Sequence, residues 1–449
     1  MKKTRIIMVG VLAVILAVCL LGGCNTSTPE APPAAPPSTD GGTPATEPPA
    51  QTDDGIDPWL QKILTAADQA PYGGIQPDTL NSRAHINKGL PTETRDNITI
   101  GWTIETLGSP FFLKWSEIVQ EKCAGYGITL DFQNADGDIQ RQVTQMETFI
   151  TLGHDAIMVT AFDMNAIQVV VNKAVEAGIP VFAASASRAN DETALVTNQV
   201  ASAWEAGFEV GVYAAQQLYK GETLKFGFAA TDLMNANNNS RPSGFISGYI
   251  FEAHNMMGQP YSSRWEAAVI SADAWIAFRD KGPQQGVGDV IDLVGMGIGT
   301  HDPSGGQAAI SDVITANPDI DIIMSLSDTM ISGCVQEAKQ HNLVPGQDVY
   351  FVAAADGLRE CMDMIKEGTV LATSSGPPNY HASLVDLIHD IFYNGYDANN
   401  LPANSYSSGA VIHAGNVDQF YIADSEFCAP GPFKFITIDE WNAGVRQGS

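Results

Sequence analysis

The chain has 449 residues, of which 44% are hydrophobic, and its 51 acidic side chains outnumber the 23 basic ones, which gives a formal net charge of −28. This length and hydrophobic content are sufficient for two or three domains. The charge disfavours nucleic acids and anionic membrane surfaces as partners, because binding to either relies on clustered Lys and Arg.

The N-terminus is typical of an export signal. A basic segment, K-K-T-R, precedes an apolar run over residues 6–21, and the sequence L-G-G-C then ends at Cys24. This order of basic, apolar and small residues is that of a secretory signal peptide. The L-G-G-C ending resembles a bacterial lipobox, which implies lipidation of Cys24, removal of residues 1–23 and a membrane anchor outside the cytoplasm. An uncleaved signal anchor is the alternative, and it leads to the same compartment.

Residues 24–55 are rich in Pro, Ala, Thr, Ser and Gly and almost lack large apolar side chains. Such a segment cannot bury enough surface to offset its ordering entropy, and its prolines favour extended conformations. It is therefore predicted to be a tether. Residues 56–96 form an N-terminal extension of ambiguous character, in which Trp59 and Leu60 could belong to a short amphipathic helix; the sequence assigns it no role.

The first strand and helix are predicted next. Apolar residues alternate with Thr and Gly over residues 97–104, which predicts a strand. A polar corner follows over residues 105–110, and helical spacing begins at Phe111. Ligands of open parallel sheets bind beyond the carboxyl ends of the strands, so the corner over residues 106–112 is expected at a ligand site.

The same alternation of strands and helices continues along the chain. Further strands are predicted at residues 128–132, 156–160, 180–184, 223–230, 290–296, 320–325, 349–354 and 370–374, and further helices at residues 140–152, 166–177, 202–218, 241–252, 307–316, 330–340 and 360–367. Apolar strands that alternate with helices indicate doubly wound parallel sheets, and two such series indicate two α/β lobes. Residues 253–289 interrupt the second series and are interpreted as an insertion.

Several short motifs lie at the predicted strand ends and helix starts. They are T-L-G-S-P-F-F (residues 106–112), G-H-D-A-I-M-V-T (153–160), A-V-E-A-G-I-P-V-F (174–182), R-P-S-G-F (241–245), S-D (327–328) and A-D-G (355–357). In this order they resemble motifs of the ribose-type, or type I, periplasmic sugar-binding proteins of ABC transporters. The resemblance extends over about residues 97–420.

The resemblance implies an α/β fold of two doubly wound parallel-sheet lobes joined by a hinge of three crossovers, near residues 198–201, near 373–376 and beyond about 408. The expected first lobe comprises residues 97–200 and 375–410, and the second comprises residues 201–374 and 411–449.

The implied function is that of a monomeric, extracytoplasmic lipoprotein that captures a sugar or sugar-like solute between its lobes and delivers it to an ABC permease. No catalysis, cofactor or nucleic-acid partner is expected. Cytoplasmic repressors of the same fold carry a DNA-binding segment before it. This chain is acidic and has a signal and a tether there, which excludes that class.

The resemblance also implies ligand-facing roles for a set of residues at the strand ends: Glu105, Ser109, Phe111, Phe112, Thr160, Ser185, Asn239, Arg241, His301, Ser327 and Asp356. Phe111 or Phe112 would pack one face on a sugar ring, because the C–H face of a sugar suits an aromatic plane. The carboxylate of Asp356 would accept hydrogen bonds from two neighbouring hydroxyls.

Structural roles compete with these assignments. Phe111 and Phe112 could pack in the core, Glu105 could be a solvated loop acid, and Arg241 could be an ion-pair partner.

The later strand ends carry similar alternatives. Asp356 could cap the following helix, whereas Asp328 is interpreted as the N-cap of the helix that begins at residue 329, which leaves Ser327 as the cleft residue there. Asn239 matches a ligand-contacting Arg of some ribose binders, and His301 aligns loosely with an aromatic cleft position.

Some positions depart from the ribose pattern. Ser185 and Ala186 stand where many ribose binders have Asp-Arg, and Thr160 and Ser109 stand where Asn is usual. Losing the charged pair removes hydrogen bonds that fix a pentose. The predicted ligand is therefore not ribose, and its being a monosaccharide stays open.

A signalling receptor and an extracellular hydrolase are the two alternative functions. The closed lobes could engage a sensor kinase or chemoreceptor instead of a permease, and the sequence does not separate these outputs. An extracellular hydrolase would use Asp356, Asp328 and His301 as acid and base candidates, but there is no G-x-S-x-G elbow.

The mature cysteines, Cys123, Cys334, Cys361 and Cys428, could form disulfides or remain buried thiols. The acids over residues 134–138 are interpreted as a loop, and no metal site is predicted.

Overall fold

The structure is a computed structural model. It describes residues 56–446 except 78, 79, 81, 82, 84, 162, 408 and 430–432. The expected signal peptide, the lipidation site at Cys24 and the tether lie outside the described residues. Within the described chain no helix is both long and apolar enough to cross a membrane.

The first lobe contains a six-stranded parallel sheet with helices on both faces. Its strands are β1 (Thr99–Ile104), β2 (Thr129–Asn134), β3 (Ala156–Ala161), β4 (Val181–Ser185), β5 (Thr197–Val200) and β12 (Asn404–Tyr406), in the order β12-β5-β4-β3-β1-β2. Its helices are α2 (Pro110–Tyr126), α3 (Ile139–Leu152), α4 (Met164–Glu176) and α11 (Asn379–Asn394). Ile100 and Trp102 of β1 belong to the core on the face that includes residues of α2 and α11, whereas Ile157 of β3 belongs to the opposite core.

The second lobe contains a seven-stranded sheet. Its strands are β6 (Leu224–Ala230), β7 (Gln284–Val287), β8 (Ile291–Ile298), β9 (Ile322–Ser325), β10 (Tyr350–Ala353), β11 (Ala372–Ser374) and β13 (Val411–His413), in the order β13-β11-β10-β9-β6-β8-β7. The edge strands β7 and β13 pair antiparallel, and the other pairs are parallel. Its helices are α5 (Ala203–Leu218), α6 (Asn237–Met256), α7 (Arg264–Lys281), α8 (Pro303–Ala316), α9 (Asp328–Gln340), α10 (Arg359–Glu367) and α12 (Val417–Phe420). The predicted two α/β lobes are thus confirmed.

The chain passes between the lobes where β5 leads to α5, where β11 leads to α11 and where β12 leads to β13. Each connection is short, so the lobes share one hinge side. The helix α11 was not predicted from the sequence. It carries residues 379–394 back to the first lobe, where Leu384, Ile388 and Phe392 are buried in the core beside Trp115 of α2.

Two further segments belong to the lobes. Residues 253–289, interpreted as an insertion, contain the end of α6, all of α7 and the edge strand β7. The C-terminal tail was expected in the second lobe, but residues 433–446 contact the first. There α13 (Ile438–Asn442) begins with Ile438 N donating to Asn400 O at 2.9 Å, and Phe435 packs on the core that contains Ile391.

The N-terminal extension contacts both lobes. Its helix α1 (Pro58–Leu64) begins at Asp57 and buries Trp59 and Leu60 in a cluster with Trp265 of α7. Further along, Arg83 and Lys88 are buried and donate hydrogen bonds to backbone carbonyl oxygens of the first lobe. The segment to which the sequence assigned no role is therefore part of the folded body.

The helices α5 and α6 approach each other closely at glycines spaced four residues apart on each helix: Gly207 and Gly211, and Gly244 and Gly248. A Cβ atom added to Gly248 would lie 1.9 Å from Phe208 O, and one added to Gly207 would lie 2.2 Å from Arg241 O. Backbone atoms cannot withdraw from such a contact as a flexible side chain can. The start of α6, which carries Arg241, is thus held directly against α5.

The cysteines Cys123, Cys334, Cys361 and Cys428 are free and buried. Burial raises the pKa of the Cys123, Cys334 and Cys428 thiols to about 12, so they are protonated and unreactive at neutral pH. Of the two alternatives left open by the sequence, the structure has buried thiols.

Candidate functional site

A cavity lies between the lobes, at the carboxyl ends of both sheets. Its empty volume is about 1320 Å³, including the solvent at its mouth. Nearly all the predicted ligand-facing residues line it, and the structure brings these together: Glu105, Ser109, Phe111, Phe112, Thr160, Ser185, Arg241, His301, Ser327 and Asp356. This is where ligands of open α/β sheets are expected.

Aromatic rings form one wall of the cavity. Phe111 and Phe112 open α2 and are half-buried, with their ring centroids 5.7 Å apart at an interplanar angle of 87°. Phe112 stacks on Trp115, one helical turn later, at 6.2 Å. Phe111 also meets Phe427 of the second lobe edge-on at 6.1 Å. Both rings line the cavity from the first lobe. Phe111 in addition connects the two lobes through its contact with Phe427.

The residues Trp115 and His381 line the same wall and were not predicted. Their rings lie 4.6 Å apart, and burial lowers the pKa of His381 to about 4, so its imidazole is neutral. Trp115 Nε1 and His381 Nδ1 are buried without a hydrogen-bond partner among the described residues. Trp115 lies on the predicted inner face of α2 and could have been found by that spacing, but His381 depends on α11 returning to the first lobe.

An ion pair stands on the second-lobe side. Arg241 Nη2 lies 3.3 Å from Asp356 Oδ1, and Arg241 Nη1 donates to Leu326 O at 2.8 Å. Both side chains are largely buried, with 16% and 14% of their surfaces exposed. Burial raises the pKa of Asp356, and the Arg241 guanidinium opposes that rise. Asp356 does not cap α10, whose N-cap is Leu358, so the carboxylate is oriented by Arg241 at the cavity edge.

The residues Ser327 and Asp328 take structural roles different from those expected. Ser327, rather than Asp328, is the N-cap of α9, with its Oγ accepting from Thr329 N at 3.4 Å. Asp328 is buried and accepts from Leu358 N at 2.8 Å and from Thr373 Oγ1 at 2.7 Å. The prediction that Asp328 caps the helix is therefore wrong, because its carboxylate joins Leu358, at the start of α10, to Thr373 of β11 instead.

Glu105 is the first residue after β1. It is only 6% exposed, which contradicts the alternative of a solvated loop acid. Burial, and secondarily the negative charge of Asp232 from the second lobe, raise the pKa of Glu105 to about 8. At neutral pH the apo cleft therefore contains a protonated carboxylic acid, which can donate one hydrogen bond as well as accept.

Asn239 does not reach the cavity. It is fully buried, and its Oδ1 accepts from Trp275 Nε1 and Arg279 Nη1, both at 3.2 Å. The predicted ligand contact is thus replaced by an anchor between α6 and α7. Its neighbours Asn237 and Asn238 line the cavity instead, and Asn237 Oδ1 has no hydrogen-bond partner among the described residues.

Three hydroxyl residues of the first lobe line the cavity but already have internal partners. Thr160 Oγ1 accepts from Trp102 Nε1 at 3.2 Å. Ser185 Oγ donates to Ser187 O at 2.6 Å, and Ser109 is the N-cap of α2. Ser185 thus uses its hydroxyl proton internally, whereas Thr160 and Ser109 accept in these bonds and their O–H groups can still donate to a ligand.

His301 follows β8 and reaches the cavity from the second lobe. It stays exposed toward the cleft, yet desolvation by the surrounding lobe lowers its pKa, and Arg241 acts in the same direction. The ring is therefore neutral at physiological pH. Among the described residues no group of His, Cys, Asp and Glu is arranged to hold a metal ion.

Comparisons with known proteins agree with this geometry. Residues 100–392, well over half of the chain, match the family model described as periplasmic binding protein domain. The chain is 22% identical over 302 residues to the ribose import binding protein of Bacillus subtilis (strain 168). The aligned region covers 66% of this chain and 83% of that protein. It is 25% identical over 261 residues to the multiple sugar-binding periplasmic receptor of Rhizobium radiobacter. That aligned region covers 56% of this chain and 64% of that protein.

Among solved structures, one from Mycobacterium smegmatis in complex with beta-D-fucofuranose is similar in fold. Its TM-score is 0.56 at 18% sequence identity, and the match covers 72% of this chain and 93% of that chain.

Proposed function

We propose that this chain, which belongs to the periplasmic binding protein family, captures a sugar or sugar-like solute between its lobes and delivers it to the permease of an ABC transporter. The observation that carries the proposal is the interlobe cavity, where an aromatic wall from α2 faces the Arg241–Asp356 pair across the carboxyl ends of both sheets. Aromatic faces suit the C–H faces of sugars, and the polar groups suit their hydroxyls.

Binding would proceed by closure about the hinge. The solute contacts one lobe first, and rotation of the second lobe brings Asp356, Ser327 and His301 onto it. Hinge closure around a ligand is the usual motion of two-lobed binding proteins. The buried state then places the solute hydroxyls among donors and acceptors that the lobes already hold in position, so little ordering is required on binding.

The N-terminal sequence bears on the location of the protein. We infer that Cys24 is lipidated and that residues 24–55 tether a monomeric receptor outside the cell membrane, on the strength of the export-signal pattern and the L-G-G-C sequence. The family name supports an extracytoplasmic location. Incorporation of labelled palmitate that disappears in Cys24→Ala is the test of the anchor.

The central test is calorimetry of the purified protein against pentoses, hexoses, furanoses and cyclic polyols. At least one solute of this panel is expected to bind. Asp356→Asn is expected to reduce the affinity for that solute by about tenfold or more, because a charge-assisted hydrogen-bond acceptor is lost. Glu360→Gln, an exposed change in the first turn of α10, is the matched control. Absence of binding throughout the panel would contradict the proposed function.

A further inference from the structure

Glu105 is a largely buried acid that lines the cavity and has no side-chain partner among the described residues. The residue is 6% exposed and lines the cavity, but its side chain forms no hydrogen bond or ion pair with any residue that the structure describes. Its carboxyl oxygens are not among the fully buried unpaired atoms, so they open onto the cavity. A ligand in the cleft can therefore supply the partner that a largely buried acid needs.

The charge balance around Glu105 is negative. Asp232 approaches from the second lobe and is exposed, whereas Arg241 is paired with Asp356. His301 and His381 also line the cavity. Desolvation lowers the pKa of both, that of His381 to about 4, whereas Asp356 opposes the change at His301, so neither imidazole is a permanent cation. Among the described lining residues Arg241 is the one Lys or Arg, so no second basic side chain is present to compensate Asp232, or Glu105 once it ionises.

The aromatic wall begins immediately after Glu105. Phe111, Phe112 and Trp115 line the same cavity, on the helix that follows the Glu105 corner. The faces of aromatic rings attract cations as well as C–H groups, and this attraction is stronger in a desolvated site. The site thus combines an unpaired acid, a second acid and aromatic faces, a set that favours a positively charged group on the ligand.

We propose that the solute is an amino sugar or an aminated polyol, and that the carboxylate of Glu105 receives its ammonium group. This inference rests on the proposed function and specifies the ligand class of the same cavity. The ammonium group donates up to three hydrogen bonds and carries the charge that the cleft lacks. Asp232 would add a second negative group from the opposite lobe as the cleft closes.

Binding of an ammonium group beside Glu105 also changes the number of protons that the cleft holds. The carboxylic acid of Glu105, which is protonated in the apo cleft at neutral pH, gives its proton to the buffer when the ammonium group arrives, and a carboxylate–ammonium pair remains. Binding near pH 6.5 should therefore release close to one proton per ligand. A neutral sugar leaves the proton on Glu105, so its binding releases none.

The test uses matched neutral and amino ligands: glucose and glucosamine, galactose and galactosamine, mannose and mannosamine, and glucitol with 1-amino-1-deoxyglucitol. Calorimetry is run at pH 6.5 in buffers of different ionisation enthalpy, so that the buffer dependence of the heat counts the protons released. The amino member of at least one pair is expected to bind about 30-fold or more tightly than its neutral partner, the range of a buried charge pair, with proton release.

Glu105→Gln keeps the shape of the side chain and removes its charge. It should abolish both the amine preference and the proton release, whereas neutral ligands should change little. Glu121→Gln on the exposed face of α2 makes the same change in net charge away from the cavity and should alter neither. Equal affinity for neutral and amino partners, without proton release, would overturn this inference and leave the proposed function intact. Binding of neither class contradicts both.

Discussion

Burial of Glu105 at the end of β1 makes its ionisation depend on the fold. Its pKa is raised to about 8, so the folded protein holds a proton that the unfolded chain releases near its ordinary value of 4.5. The folded state therefore binds more protons than the unfolded state between these two values. By linkage, the contribution of Glu105 to stability is complete below pH 4.5 and decreases as the pH rises toward 8.

We therefore expect Glu105→Gln to stabilise the protein increasingly as the pH rises. Relative to wild type, the free energy of unfolding of the variant should increase by about 3 kcal/mol between pH 5 and pH 8, because Gln carries no charge to bury. Urea unfolding at the two pH values measures this difference. Parallel stability profiles for the two proteins would mean that Glu105 titrates normally.

Asn239 and Glu105 also show what a motif can and cannot predict for single residues. Matching R-P-S-G-F placed Arg241 correctly at the start of a helix beside the cavity, yet two residues earlier Asn239 points to Trp275 and Arg279 of α7. The family pattern contains no information on the partner helix, which lies in the stretch that the sequence left unassigned. Residue type alone also could not distinguish a buried from a solvated Glu105.

At the scale of elements, local signals predicted most helices and strands through residue 374 to within about one helical turn. α2 is an example, with Ser109 as N-cap, Pro110 in the first turn and Gly127 at its end with φ of 70°. The helix α11 and the strand β12 were not predicted. The resemblance placed residues 375–410 in the first lobe, but the elements themselves depend on packing against α2 and pairing with β5, which are distant in sequence.

The crossing of α5 and α6 gives a prediction at this scale. Gly248→Ala places a Cβ 1.9 Å from Phe208 O, so we expect a loss of about 1–3 kcal/mol in the free energy of unfolding, because the two helices must move apart. Gly125→Ala on α2 is the control. No atom lies within 4 Å of its added Cβ, and Ala is the better helix former, so this variant should be slightly stabilised. Similar stabilities for both variants would contradict the close crossing.

At the scale of the whole molecule, contacts across the cleft and on the hinge side connect the lobes. Phe111 of the first lobe packs edge-on against Phe427, which is buried in the core of the second. The N-terminal extension adds another connection, since α1 packs on α7 whereas Lys88 donates to three carbonyl oxygens of residues 398–401. We expect opening of the cleft to break the Phe111–Phe427 contact. The N-terminal extension, which contacts both lobes, then limits how far they separate.

We expect Phe427→Leu to weaken solute binding although Phe427 does not line the cavity. An edge-on aromatic pair contributes about 0.5–1.5 kcal/mol beyond its buried area, so its loss should favour the open state and reduce affinity by about two- to tenfold. Small-angle scattering of the apo protein should show a larger radius of gyration than wild type, and saturating solute should remove the difference. An unchanged affinity and radius would mean that this contact does not influence closure.

The sequence by itself determined the alternation of strands and helices, the two lobes and most residues that follow the strand ends, because these features depend on local periodicity and on short motifs. It also indicated departures from the ribose pattern at Ser109, Thr160 and Ser185. Only the tertiary structure decided that Glu105 is buried and has no side-chain partner in the described part of the chain, that His381 joins the aromatic wall and that the C-terminal tail returns to the first lobe. Each of these depends on contacts between segments far apart in the chain, and burial, which sets the charge of an acid, is a property of those contacts rather than of the residue.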